Sequence, residues 1–230
     1  VNSAAFSGGN DQGSFRFGFT NSLHEGNLDN SSLKRNTLDF SGAYDFTDKL
    51  RVSTSVIYTN NKAIGRYGTG YDGLNPMQSF RQWWNVAADM QKLKDAYFLT
   101  GENISWNANA WNDTRPAYSD NYYFSRYQNF QNDERDRYTG MAAVEYKLTD
   151  WLTAMGRFTF DNYNELREER IAEGTVGKVS EYFMNTIDVG ENNYDLILSF
   201  NKDLTENINL EGNVGWNLRV KQLNSLAART

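Results

Sequence analysis

The chain has 230 residues, 23 basic against 29 acidic side chains for a formal net charge of −6, and 15% aromatic residues. An acidic balance excludes nucleic acid as the partner, because phosphate backbones are bound by basic surfaces. The lack of cysteine excludes disulfides and thiolate metal sites, and the single histidine, His24, excludes a histidine-rich metal centre. No run approaches the roughly 20 apolar residues of a membrane helix. The mean hydropathy of −0.71 still leaves room for a β-barrel, in which only alternate strand residues face lipid. No cofactor, metal site or catalytic constellation is expected, and the chain does not read as an enzyme.

Along the chain the hydrophobic period is two. Phe15, Phe17 and Phe19 alternate with Ser14, Arg16 and Thr20. Leu38, Phe40, Tyr44 and Phe46 oppose Thr37, Asp39, Ser41 and Asp45, and Leu50, Val52, Val56 and Tyr58 oppose Arg51, Ser53 and Ser55. The pattern resumes with Tyr138, Ala142, Val144, Tyr146 and Leu148, then Leu152, Ala154, Phe158 and Phe160. It continues with Tyr194, Leu196, Leu198 and Phe200, and with Leu210, Val214, Trp216, Leu218 and Val220. No apolar set in this series carries a charge. Both prolines, Pro76 and Pro116, fall outside these runs, as expected of residues that cannot donate to a strand ladder.

The connections are expected to alternate. Those at 45–49, 149–150 and 201–207 are tight and polar, whereas those at 23–36, 60–137 and 162–193 are long. Short turns at one end and long loops at the other are a feature of outer-membrane barrels. A soluble β-sandwich alternates too, so both architectures remain open on pattern alone.

The segment 60–137 is too long for a simple connection. It opens with Gly65, Gly68, Gly70 and Gly73, and Asn75-Pro76 then starts a helix expected over 75–98. Its apolar stripe is Phe80, Trp84, Val86, Ala87, Met90, Leu93 and Tyr97. Adjacent helical residues diverge by about a hundred degrees, so Trp84 is expected to pack inward, leaving Trp83 free. An aromatic, asparagine-rich stretch follows. Trp83, Trp106, Trp111, Tyr122 and Tyr123 are the candidate contacts for a substrate or partner, the alternative being packing inside a structured loop. The mixed charges at 165–170 read as a solvated loop or as pairs between strand extensions. Asp133, Glu134 and Asp136 match no calcium loop and read as a solvated face.

Several stretches carry a family resemblance. Phe6-Ser7-Gly8-Gly9-Asn10, the Phe15 hairpin, His24-Glu25-Gly26 and Asn30 to Arg35 come first. Asn75-Pro76, Arg81-Gln82-Trp83, Leu93-Lys94-Asp95 and Asp120-Asn121-Tyr122-Tyr123-Phe124 follow, and then the turn from Tyr146 to Leu152, Gly156-Arg157 and Asp161 to Tyr163. In this order they resemble the SusC/RagA family of TonB-dependent outer-membrane transporters, although Tyr122 and Phe124 stand where that family usually has proline and tryptophan. The resemblance implies an all-β fold: about eight strands of a larger antiparallel transmembrane barrel, with long extracellular loops, one containing a helix. Residues 1–230 would form part of one barrel domain, the plug and remaining strands lying elsewhere. It implies import of an oligosaccharide or peptide, a SusD-like surface lipoprotein as partner, TonB acting through the missing N-terminal part, and outer-membrane lipid as the surroundings. A structural role in a larger envelope assembly and a soluble sandwich binding module are the rival readings.

Overall fold

The computed structural model describes residues 1–66, 68–72 and 74–230, so Gly73 of the expected glycine series lies outside the described residues. Eight strands form one antiparallel meander: β1 (Asn2–Asn10), β2 (Gly13–Glu25), β3 (Ser32–Thr47), β4 (Leu50–Arg66), β7 (Phe130–Lys147), β8 (Leu152–Ile171), β9 (Glu181–Thr205) and β10 (Ile208–Arg229). Between β4 and β7 lie α1 (Pro76–Gln82), α2 (Met90–Thr100), the small hairpin β5 (Ala108–Ala110) and β6 (Asp113–Pro116), and α3 (Tyr122–Gln128). Among the described residues no helix is long and apolar enough to cross a membrane.

Register converts the period-two sequence into a two-faced wall, because alternate residues of a strand point to opposite sides. Phe17 stands opposite Phe40, Phe40 opposite Val56, Val52 opposite Val144, Ala142 opposite Phe158, Ala154 opposite Leu198, and Leu198 opposite Val214. One apolar face therefore runs without interruption across all eight strands, and Phe6 of β1, opposite Phe17, carries it to the edge. Phe40, Val144, Leu198, Val214 and Trp216 on this face are all exposed. No second large sheet packs against it among the described residues.

The opposite face is built from paired charges. Arg16 meets Asp39 and Arg137 meets Asp161; Arg157 lies 2.8 Å from Asp195, and Arg219 lies 2.5 Å from Glu191. Glu165, almost fully buried, accepts from Arg135 at 2.6 Å and Arg167 at 2.7 Å. The charge run at 165–170 thus belongs to β8 and pairs between strand extensions, the second of its two readings. Asp133 and Glu134 are likewise taken by Arg66 and Lys62.

The meander puts the turns 11–12, 48–49, 148–151 and 206–207 at one end and the connections 26–31, 67–129 and 172–180 at the other. All three expected long loops are shorter than their sequences suggested, 23–36 being reduced to 26–31. The strands run through 60–66 and 130–137, and β8 and β9 extend so far that 162–193 contains only nine residues outside strands, 172–180. Polar residues mark these extensions because both faces of the wall are polar there, so the amphipathic pattern fades while the hydrogen-bond ladder continues. The single helix expected over 75–98 is two helices. The Asn85 carboxamide accepts from the Ala87 amide at 2.9 Å, and Asp89 caps α2 by accepting from Gln91 and Lys92, so local side-chain bonds break the helix between the caps. Pro116 ends β6, in a two-stranded hairpin where every strand is an edge.

The register has a direct check. In this cysteine-free chain, cysteines replacing the opposed residues Val52 and Val144 should form a disulfide, whereas cysteines at Val52 and Ala143, which face opposite sides, should not. Gel mobility with and without reductant reads the result.

Candidate functional site: an aromatic cavity in the loop layer

The long connections do not hang freely over the sheet end. Leu93, Tyr97, Tyr122, Tyr123, Phe124 and Ala172 form a buried cluster, with Leu28, Phe80, Trp84, Met90, Trp106 and Tyr127 packed against it. All three connections contribute, so this small core lies within the loops. The stripe expected on one helix reaches it in part: Phe80, Trp84, Met90, Leu93 and Tyr97 converge, but Val86 lies in the break and is fully exposed.

Asparagine side chains join the loop segments, each able to donate and accept at once. Asn121, with no exposed surface, caps α3 by accepting from the Tyr123 amide at 2.8 Å, and donates to the carbonyls of Leu93 (2.8 Å) and Ile104 (2.7 Å). Asn107 donates to the Ser119 carbonyl and accepts from the Tyr118 and Ser119 amides, which closes the base of the β5–β6 hairpin and returns the chain beside Trp106. Asn129 accepts from the Ala172 amide at 2.7 Å. Arg126 is buried and donates to the carbonyls of Asp29 and Gly65 at 2.9 and 2.6 Å, tying α3 to the 26–31 turn and the end of β4. Gly65 is required there: its φ is +66°, and a Cβ would stand 1.7 Å from the Asn30 carbonyl oxygen.

Beside the cluster opens a cavity of about 700 Å³ whose lining includes seven aromatic residues: Tyr71, Phe80, Trp83, Trp84, Trp106, Tyr118 and Tyr122. Trp84 meets Phe80 and Trp106 edge-on, with ring centroids 4.8 and 5.8 Å apart, and Trp106 meets Tyr118 at 5.7 Å. Gln78, Ser79, Ser119 and Ser125 supply polar groups. Asp120 is the only carboxylate in the lining among the described residues. It accepts from Asn103 at 2.6 Å and the Val176 amide at 2.9 Å, fastening the 172–180 turn to the wall. Burial pushes its pKa above the usual carboxylate range against the opposing effect of those two hydrogen bonds, and burial likewise raises the Tyr122 phenol. The Trp106 indole N–H has no hydrogen-bond partner among the described residues, so its ring contacts hold this wall.

The five expected contact residues divide. Trp83, Trp106 and Tyr122 line the cavity. Trp111 sits on the β5–β6 turn, 95% exposed and away from the cavity, while Tyr123 is buried in the cluster. Tyr122 also has a structural task, its hydroxyl accepting from the Asp29 amide at 3.1 Å. Trp83 is 62% exposed, yet Trp83 and Trp84 both face the cavity. The expected divergence fails because α1 ends at Gln82, before either residue. Tyr71, Phe80 and Tyr118 complete the aromatic lining, and Tyr118 reaches it through the Asn107 closure, which no fixed sequence spacing marks.

No family model and no curated protein matches the chain. Solved structures do. The RagAB peptide transporter aligns over 99% of this chain at 13% identity with a TM-score of 0.73. The fold is that of a RagA-like barrel wall. The RagAB peptide importer matches in its closed-closed state at 12% identity (TM-score 0.70) and in its open-open state at 13% identity (TM-score 0.69). The chain spans about a quarter of the length of these neighbours, 24–25%.

If Asn121 holds the loop layer together, Asn121→Ala should remove its hydrogen bonds to the Leu93 and Ile104 carbonyls and a helix cap, at a local cost of about 2–4 kcal/mol. Hydrogen exchange should then show faster exchange of the amides in 93–128 and unchanged protection in β7–β10. Asn121→Ser, which retains a capping oxygen, should fall between the two. Unchanged protection of α3 in the alanine variant would contradict this role.

Proposed function

We propose that this chain is part of the barrel wall of an outer-membrane, TonB-dependent transporter of the SusC/RagA kind, importing an oligosaccharide or peptide beneath a SusD-like surface lipoprotein. The observation that carries the proposal is the apolar face spanning eight strands with nothing among the described residues folded over it. In water such a surface would far exceed the few hundred Å² that a monomeric protein leaves exposed. In a bilayer it is the expected exterior. From Tyr138 to Tyr146 the apolar set of β7 spans about 27 Å of strand at roughly 3.4 Å per residue, which at a barrel tilt of about 40° gives an apolar band of about 21 Å, close to the roughly 25 Å of outer-membrane barrels. Tyr58 and Tyr138, stacked at 4.8 Å, and Tyr44, Tyr146 and Trp151 lie towards its two ends, where aromatic residues settle at membrane interfaces.

The paired charges of the other face suit a polar lumen. The strands at both sheet edges, β1 and β10, would be completed by further strands of the whole protein, since lipid does not tolerate unpaired edge amides. The loop layer would face outside, and its exposed apolar residues Val86, Leu99 and Trp111 would be available to a lipoprotein partner. TonB would act through a part of the protein outside this chain. No covalent chemistry is assigned to it.

The proposal fixes a topology. Cysteines replacing the exposed residues Trp111 and Val179 should react on intact cells with a reagent that cannot cross the membrane. Cysteines at Asp48 and Asp150, in the short turns, should react only after lysis. Labelling of the short turns but not the loops on intact cells would overturn the orientation and with it the importer reading.

A further inference from the structure

Aromatic walls are common, but this one is also nearly free of charge. Among the described residues no lysine, arginine, histidine or glutamate lines the cavity. Lys178 and Asp72, close in sequence to the lining residues Val176 and Tyr71, lie 3.7 Å apart and offset one another. The one carboxylate, Asp120, already accepts two hydrogen bonds through Oδ1, and burial disfavours its charge further. A free peptide brings an ammonium and a carboxylate, and here the carboxylate would be desolvated with no cation to receive it. What the walls offer is ring faces, serine hydroxyls and a carboxamide. A cavity of about 700 Å³ lies within the roughly 300–1,000 Å³ of small-ligand sites.

We propose that the loop cavity is a binding subsite for a neutral carbohydrate, the apolar C–H face of a sugar ring lying on the aromatic wall and its hydroxyls meeting Gln78, Ser79, Ser119 and Ser125. This deepens the importer reading and rests on it, because the cavity is reached from outside only if the loops face outside. Trp83 is the residue that reports on it. It lines the cavity but is largely exposed, and its indole N–H donates only to the Tyr71 hydroxyl, at 3.2 Å, so its removal should not disturb the buried cluster.

The test uses the full-length protein purified from membranes, and calorimetry with a panel of neutral glucan, mannan, xylan and galactan fragments beside a tryptic peptide digest. At least one neutral glycan should bind. Trp83→Ala should weaken it roughly 3- to 10-fold, Trp83→Phe should restore most of the affinity, and Val179→Ala, an exposed residue outside the cavity lining, should change nothing. Three results would overturn the assignment: no glycan of the panel binds, binding is indifferent to Trp83→Ala, or only peptides bind and lose affinity in that variant. Membrane insertion and cellular uptake, measured on the same proteins, separate the two claims. An inserted, importing protein with a silent cavity loses the subsite alone, whereas a protein that does not insert loses the importer reading whatever it binds.

Discussion

Everything else in this structure follows from one constraint: eight neighbouring strands share a register in which the same alternate residues are apolar. A slip of one residue at any pairing would turn that strand's apolar set to the charged side. It would bring Phe40 or Leu198 among the arginine–carboxylate pairs and expel those pairs to the apolar face. The cross-strand pairs contribute little energy individually when exposed. Their effect is on specificity, since Arg157 finds Asp195 and Arg219 finds Glu191 only in the observed alignment.

The loop layer obeys a different rule. The connections contain long stretches of backbone outside the sheet, whose amides and carbonyls need partners wherever they are buried. Asparagine supplies them, Asn103, Asn121 and Asn129 joining segments distant in sequence and Asn107 closing the base of the β5–β6 hairpin. Aromatic residues fill the space so enclosed, and the cavity is the part they leave open. Rigid walls made this way present a preformed surface, which lowers the ordering cost of binding.

Much of the sheet was legible because amphipathic alternation is a local property. The strands around Phe40, Val144 and Leu198 needed no long-range information. The extensions of β4, β7, β8 and β9 were not legible, since Asn60, Asp136 and Glu165 are polar residues with polar neighbours on both faces, and only the hydrogen-bond ladder reveals them as strand. The loop layer was partly legible. Asn75-Pro76 marked a helix start, but the break at Asn85 and the cap at Asp89 look like ordinary polar residues in a helical pattern. The aromatic richness pointed to Trp83, Trp106 and Tyr122. It could not separate them from Trp111 and Tyr123, because whether a ring lines a cavity, lies on a turn or fills a core depends on contacts between three distant connections.

The central claim is that the apolar face is covered by acyl chains. The most direct measurement replaces the native tryptophans with phenylalanine, places a single tryptophan at Val144 or Leu198 in the full-length protein, and reconstitutes it with lipids brominated along the acyl chain. Strong quenching at both positions, and none for a tryptophan at Glu145 on the opposite face, is the predicted result. Unquenched fluorescence at Val144 and Leu198 would show that something other than lipid covers this face.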